Sequence, residues 1–523
     1  MAAIAFGAVA KDPQVKTEDG IVEGTVESGV DVFKGIPFAE APVGDLRWKA
    51  PQPVKPWKGV RQAKQYGPNP MQQPIFGDMA FGTPEISEDC LYLNVWTPEN
   101  RKGDKLPVLI YFNGGALVAG SGSEPRYAGL SLAKKGIVVV TANYREGIFG
   151  FFSHPELSAE TEYKGSGNYG FMDMIAAIKW VKDNIAAFGG DPDKITVAGE
   201  SAGSMATNAL MASPLCKDLF AQAIGSSGSS LFYEGLQTLE QAEKSGMDKA
   251  KLIGKTSIKE LREMPAQELM EKAQCNGMMA YCLDGYVMTE QPLDVYDAGE
   301  QMDIPVLIGG NSNEVLAPFV LRGKPAAVQT IKENVKSNFG DATDKVVEMY
   351  GIITDEDATG DGAIQLASDL FIGFTTWKWA EAQSMTGTKP VYRYNYTHPR
   401  PAMKVKGKVA GLAGGVVEDD GKTPKAPLPK GAVHSADIEY AMGNLDTNDV
   451  YDWQPDDYLM SEIFQNYYIN FIKTGNPNGE GLTFWPPING EAVAPVLQLD
   501  VKSKVKKDRK LEERYKYIDK LLR

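Results

Sequence analysis

The sequence predicts an α/β protein: a large, mostly parallel central sheet with helices on both faces, and a small antiparallel sheet at the N-terminus. Three observations predict it. Short apolar runs recur through the middle of the chain, apolar residues at helical spacing separate two of them, and Pro- and Gly-rich strand-like pieces fill the first hundred residues. At 523 residues, with 43% hydrophobic and 23% charged side chains, the chain is neither a disordered tail nor a disulfide miniprotein. Residues 14–523 read as one domain.

From the N-terminus, the stretch Met1 to Ala10 is apolar and ends in an Ala-x-Ala pattern before Lys11-Asp12-Pro13. It reads as a shortened secretory signal, which would place the protein in the periplasm or outside the cell, or as a frayed terminus of a cytoplasmic protein. Residues 20–26 and 30–33 read as strands of an antiparallel edge. Buried strands are expected at residues 108–112, 137–140, 195–198, 304–308 and 391–394, each a run too short for a helix. Between the second and third of these, Ile175, Ile178, Val181 and Ile185 form an amphipathic stripe, ended by Gly189-Gly190-Asp191-Pro192. Residues 404–431, rich in Lys, Gly and Pro, read as a surface loop. Leu511, Tyr515, Ile518 and Leu522 recur at helical steps in a Lys- and Arg-dense tail, which predicts a solvated amphipathic helix.

Charge and cysteine usage narrow the function. The 54 basic and 68 acidic residues give a net charge of −14. That field repels phosphate backbones, so nucleic acid is not an expected partner. No 18-residue apolar run is present to span a membrane. Four cysteines (Cys90, Cys216, Cys275, Cys282) show no C-x-x-C spacing, so no metal and no cofactor is expected; Cys275 and Cys282 are close enough for a small disulfide or remain two thiols.

The sharpest chemical signal is Gly199-Glu200-Ser201-Ala202-Gly203, directly after one predicted strand and before a helix-compatible segment. A tight strand-to-helix turn pushes such a serine into a strained conformation at the sheet edge, and the flanking glycines keep neighbouring backbone clear. The following helix aims its positive end at the same point, and the Ala202 amide can face a developing oxyanion. A second oxyanion contribution could come from Asn113-Gly114-Gly115-Ala116, which follows strand 108–112; the alternative is an ordinary strand-ending turn.

A serine nucleophile needs an imidazole base, and only His154, His398 and His434 are available. The first two precede prolines and suggest structural turns, whereas His434 lies far C-terminal to the serine, where hydrolases of this topology place the base. The orienting carboxylate should follow a strand between Ser201 and His434 in the chain. Glu314, after strand 304–308, fits that place better than anything following strand 391–394; a surface Glu starting a helix is the alternative. The order Ser201, Glu314, His434 is that of an α/β-hydrolase.

Longer stretches carry a family resemblance. Gly35-Ile36-Pro37-Phe38-Ala39 with Leu46-Arg47-Trp48, Glu88-Asp89-Cys90-Leu91-Tyr92-Leu93-Asn94-Val95-Trp96, Asn143-Tyr144-Arg145 with Gly147-Ile148-Phe149-Gly150-Phe151, residues 184–203 and residues 434–443 together resemble the type-B carboxylesterases, a family that includes bacterial para-nitrobenzyl esterases and cholinesterases. The resemblance implies Ser201 as nucleophile, His434 as base and Glu314 as third member. It also implies an oxyanion hole from the amides of Gly115, Ala116 and Ala202, ion pairs Arg47–Glu88 and Arg145–Asp173, and a small-molecule ester as substrate. Phe112, Leu117 and Phe319 lie near the implied site in sequence and are candidates for an apolar substrate pocket or for plain core. Departures are informative. No second cysteine precedes Cys90 in the first loop, Met79-Ala80-Phe81 stands near where cholinesterases carry a choline-binding Trp, Asn113 replaces a common His or Tyr, and Ala116 replaces a third glycine. An amidase or peptidase with the same machinery, or a non-catalytic adhesion protein on the same fold, are the rival functions.

Overall fold

The computed structural model describes residues 12–99, 103–275, 278–419 and 430–523. Most of the N-terminal signal-like stretch, residues 1–11, lies outside them. The main sheet comprises Thr25–Glu27 (β1), Val30–Pro37 (β2), Tyr92–Pro98 (β3), Leu106–Phe112 (β4), Val138–Ala142 (β5), Gly190–Glu200 (β6), Gln222–Ser226 (β7), Val306–Asn311 (β8), Val391–Tyr396 (β9), Pro495–Leu499 (β10) and Lys504–Lys507 (β11). They lie in the order β11-β10-β9-β8-β7-β6-β4-β5-β3-β2-β1. Every adjacent pair from β10 across to β5 is parallel, and the remaining edge strands are antiparallel. All five predicted buried strands are present. The small N-terminal sheet is mixed: Gln14–Lys16 runs antiparallel to Ile21–Glu23, which pairs in parallel with Val60–Gln62.

Alternation along the strands splits the core into two layers. Val108, Ile110 and Phe112 of β4 point to one face, with Val138 and Val140 of β5. Leu109, Tyr111 and Val139 point to the other. Helices Tyr169–Asn184 (α1), Ala202–Ala212 (α2) and Phe374–Thr386 (α3) contribute Ile178, Leu210 and Trp379 to the first layer. Helix Pro455–Thr474 (α4) covers the second with Met460, Phe464 and Tyr468. The C-terminal helix Arg509–Leu522 (α5) is more than a solvated tail, because Tyr515 and Ile518 dock with Phe374 and Trp377 in a third cluster.

This topology fixes where a site can form. Chain order runs β4, β5, β6, yet β4 sits between the other two, so the connection from β4 to β5 and the one from β5 to β6 step across the sheet in opposite directions, which opens a crevice beyond the carboxyl end of β4. The loop after β4 and the turn after β6 meet there, since Phe112 pairs with Gly199 in register. Both ion pairs implied by the resemblance form nearby. Arg47 grips Glu88 with two 2.6 Å hydrogen bonds, and Arg145 holds Asp173 of α1 with two of 2.8 Å. All four cysteines are free, so the Cys275–Cys282 disulfide alternative is not realised. No helix among the described residues is long and apolar enough to cross a membrane.

Candidate active site

Ser201 stands between β6 and α2 with φ 55° and ψ −122°, a conformation that costs a non-glycine residue about 1–3 kcal/mol. Its surroundings hold it there. The Ser201 amide donates to Ser226 O at 2.9 Å, and its carbonyl accepts the first turn of α2 through Met205 N. The two motif glycines let the turn close on itself. A Cβ on Gly199 would lie 2.4 Å from the Gly203 carbonyl carbon, and one on Gly203 would lie 2.3 Å from Phe112 O. Both obstacles are backbone, so neither can swing aside. Gly203→Ala is therefore expected to lower stability by about 1–3 kcal/mol or more, measurable as a depressed melting temperature, together with a loss of turnover.

The loop after β4 lies directly on this turn. A Cβ on Gly114 would meet Glu200 O at 2.7 Å and Ser201 Cβ at 3.0 Å. Gly115, Ala116 and Leu117 follow with φ of 107°, 57° and 60°, a run of positive values that turns the chain tightly at the cavity. Asn113, the departure from the family pattern, braces the loop. Its side-chain NH₂ donates to Gly114 O and to Glu146 Oε1, both at 2.9 Å, and the Tyr144 hydroxyl donates to Asn113 O at 3.0 Å. Burial pushes the Glu146 carboxyl well above its usual range.

Glu314 and His434 come together as the sequence predicts. Nδ1 of His434 lies 2.6 Å from Glu314 Oε2, and the His434 amide donates to Glu314 O at 3.0 Å. The other carboxylate oxygen accepts from Ser227 Oγ and from the Asn311 amide, each at 2.6 Å. A carboxylate only accepts, so the Nδ1 position carries the proton and Nε2 is the nitrogen left to gain or lose one. Nε2 in turn comes within 3.3 Å of Glu200 Oε1. Burial pushes Glu200 up to about 8. Burial also works against the charged form of His434, but the Glu200 and Glu314 carboxylates outweigh it and hold the imidazole at about 9. Glu200 and His434 are thus coupled, the charge on each altering the proton affinity of the other.

Ser201 and His434 line one cavity of 480 Å³, with Gly115, Ala116 and Ala202 along the same wall. The other two histidines serve elsewhere: His154 Nδ1 caps a helix by accepting from Glu156 N, and His398 bridges Asp457 and Asp500 at 2.9 and 3.2 Å. The three residues named for an apolar pocket are not among the cavity's lining. Phe112 and Leu117 are fully buried in the first core layer, and Phe319 packs on Phe371, whose ring forms a T-shaped pair with His434, centroids 5.0 Å apart. The walls come from Ile75, Met205, Met278, Phe371 and Leu412. Leu412 belongs to the segment read as a surface loop, which forms a hairpin of Lys408–Ala410 and Val416–Glu418, tied to Asp78 through the Gly415 amide; residues 420–429 lie outside the described ones. Sequence reasoning also missed Glu200 as a neighbour of the imidazole, although it sits inside the serine motif.

The sequence pattern of the carboxylesterase family matches residues 11–518. The chain belongs to the carboxylesterase family. Among curated relatives, this carboxylesterase is 39% identical over 417 residues to a fumonisin B1 esterase from Sphingopyxis macrogoltabida, covering 76% of this chain and 73% of that one. It is 33% identical to the para-nitrobenzyl esterase of Bacillus subtilis, covering 96% and 98% of the two chains. A solved PNB esterase structure superposes with a TM-score of 0.78 at 31% identity, covering 98% of this chain and all of the other. A Geobacillus stearothermophilus carboxylesterase gives 0.80 at 30%, covering 97% and 99%. The carboxylesterase therefore has the α/β-hydrolase fold, and it is a carboxylic-ester hydrolase.

Proposed function

We propose that this carboxylesterase hydrolyses small-molecule esters through an acyl-enzyme on Ser201, with His434 as base, Glu314 as the group that orients it, and the amides of Gly115, Ala116 and Ala202 as the oxyanion hole. The observation that carries the reading is the 2.6 Å contact of Glu314 with His434 Nδ1, made while His434 and the strained serine line one cavity. In the first half, Ser201 Oγ bonds to the ester carbonyl carbon as its proton passes to Nε2. The carbonyl oxygen becomes an oxyanion held by the three amides. Collapse breaks the carbon–alkoxy bond, and the Nε2 proton leaves with the alcohol. Water then repeats the sequence, releasing the acid and restoring Ser201. The apolar walls suit an ester with hydrocarbon substituents.

A shared intermediate makes a direct test. With hydroxylamine competing against water, esters having one acyl group but different alcohols should give one hydroxamate-to-acid ratio, because both products arise from the same acyl-enzyme. A ratio that changes with the alcohol would overturn the proposal. Comparing an ester with the anilide of the same acid separates an esterase from an amidase, and the ester should be the faster substrate.

The contact between Glu200 and His434 gives a second expectation. The Glu200 charge raises the imidazole's pKa, so Glu200→Gln removes that support and lowers it. The acid limb of the kcat/KM profile should move to lower pH in the variant. An unmoved limb would show that His434 is not the titrating base.

A further inference from the structure

We propose that Arg126 makes the cavity selective for esters carrying a second, free carboxylate, a specificity that rests on the acyl-enzyme reading above. Apart from the imidazole, Arg126 is the one basic side chain among the described residues lining the cavity, whose other walls are largely apolar. It is buried, with 8% of its surface exposed. One edge of its guanidinium is occupied. Nε and Nη2 both donate to a single oxygen, Glu124 Oε2, at 3.1 and 3.0 Å, and Nη2 also reaches the Tyr127 hydroxyl at 3.1 Å. The other edge is barely used: among the described residues Nη1 meets only Ser435 Oγ, at 3.5 Å, and Ser435 lines the same cavity.

Glu124 is the direct ion-pair partner of Arg126, at 3.0 Å, and burial pushes its carboxyl up to about 7 while also raising that of Asp78, which weakens their hold on the guanidinium charge. Glu439, the neighbouring acid held below its usual range, is taken by Arg400 at 2.8 and 3.0 Å. A buried cation with an unfilled donor edge costs free energy that an incoming anion would recover. The protein's net charge of −14 works against anions at long range, so any such preference must come from this local group. A carboxylate fits the fork of a guanidinium, and it could sit on the acyl or the alcohol half of the ester.

Two matched pairs of substrates test this. In the acyl arm, 4-nitrophenyl hemiglutarate is compared with 4-nitrophenyl pentanoate; in the alcohol arm, 4-butanoyloxybenzoate is compared with 4-butanoyloxytoluene. The quantity read is the anionic-to-neutral ratio of kcat/KM in wild type, Arg126→Gln and Arg126→Lys, in which differences in leaving group cancel. We expect the ratio to fall about ten- to hundredfold in Arg126→Gln in at least one arm, with partial recovery in Arg126→Lys, the arm identifying the half that bears the carboxylate. An unchanged ratio in both arms would overturn the proposal. Should Arg126→Gln not fold, wild type alone decides: glutarate should inhibit neutral-ester hydrolysis at concentrations at least about tenfold below its uncharged isostere glutaramide, and equal inhibition would overturn it. Neutral-ester turnover surviving in Ser201→Ala would instead overturn the underlying acyl-enzyme reading.

Discussion

Ser201→Ala should lower kcat for 4-nitrophenyl ester hydrolysis by a factor on the order of 10⁶, the size seen when a serine hydrolase loses its nucleophile. The alanine occupies the same strained turn at φ 55° and retains the amide that donates to Ser226 O, so the melting temperature should stay close to wild type. The loss is large because the variant lacks the Ser201 hydroxyl that forms the acyl-enzyme bond. What activity persists would come from the amides of Gly115, Ala116 and Ala202 acting on a bound water. A loss of less than about a hundredfold would place the nucleophile elsewhere.

Glu314→Gln should cost about 10⁴ in kcat at neutral pH. One oxygen of Glu314 accepts from Ser227 Oγ and the Asn311 amide, and the other accepts from His434. A glutamine has only one oxygen. The buried Asn311 amide needs an acceptor, so the oxygen stays there and the NH₂ group faces Nδ1. Two donors cannot meet, so the imidazole must carry its proton on Nε2, where it can no longer accept one from Ser201. The change is nearly isosteric, and melting should shift little. A loss below about tenfold would mean that Glu314 is a structural contact rather than the group that sets the tautomer.

Much of the scaffold could be read from the sequence because strands buried on both faces leave unbroken apolar runs, as at Val108-Leu109-Ile110 and Val138-Val139-Val140. Strand β7, Gln222-Ala223-Ile224-Gly225-Ser226, left no such run although it lies in the middle of the sheet. Its Gly225 is packed under Trp379, where a Cβ would lie 2.1 Å from the indole, so the neighbour's bulk replaces the side chain that would have betrayed the strand. Ser201, Glu314 and His434 were legible for a different reason: each sits at a strand end or on a loop whose place follows from chain order.

The cavity walls were not legible in this way. Phe112 shares the parity of Val108 and Ile110, which sends its ring into the core although its backbone pairs with the serine turn. The true walls arrive from Ile75, Met278, Phe371 and Leu412, on segments far apart in sequence whose meeting depends on loop paths. Arg126 gave no signal either, because a lone arginine beside a tyrosine has the look of any surface pair until its burial is known.

The central claim is that Ser201 becomes covalently acylated. Diethyl 4-nitrophenyl phosphate tests it most directly, with peptide mass mapping of the inactivated protein. The account predicts one 4-nitrophenol released per chain, activity lost in parallel, and a diethylphosphoryl group on the peptide containing Ser201. Full inactivation with Ser201 unmodified, or undiminished turnover by protein fully labelled there, would contradict it.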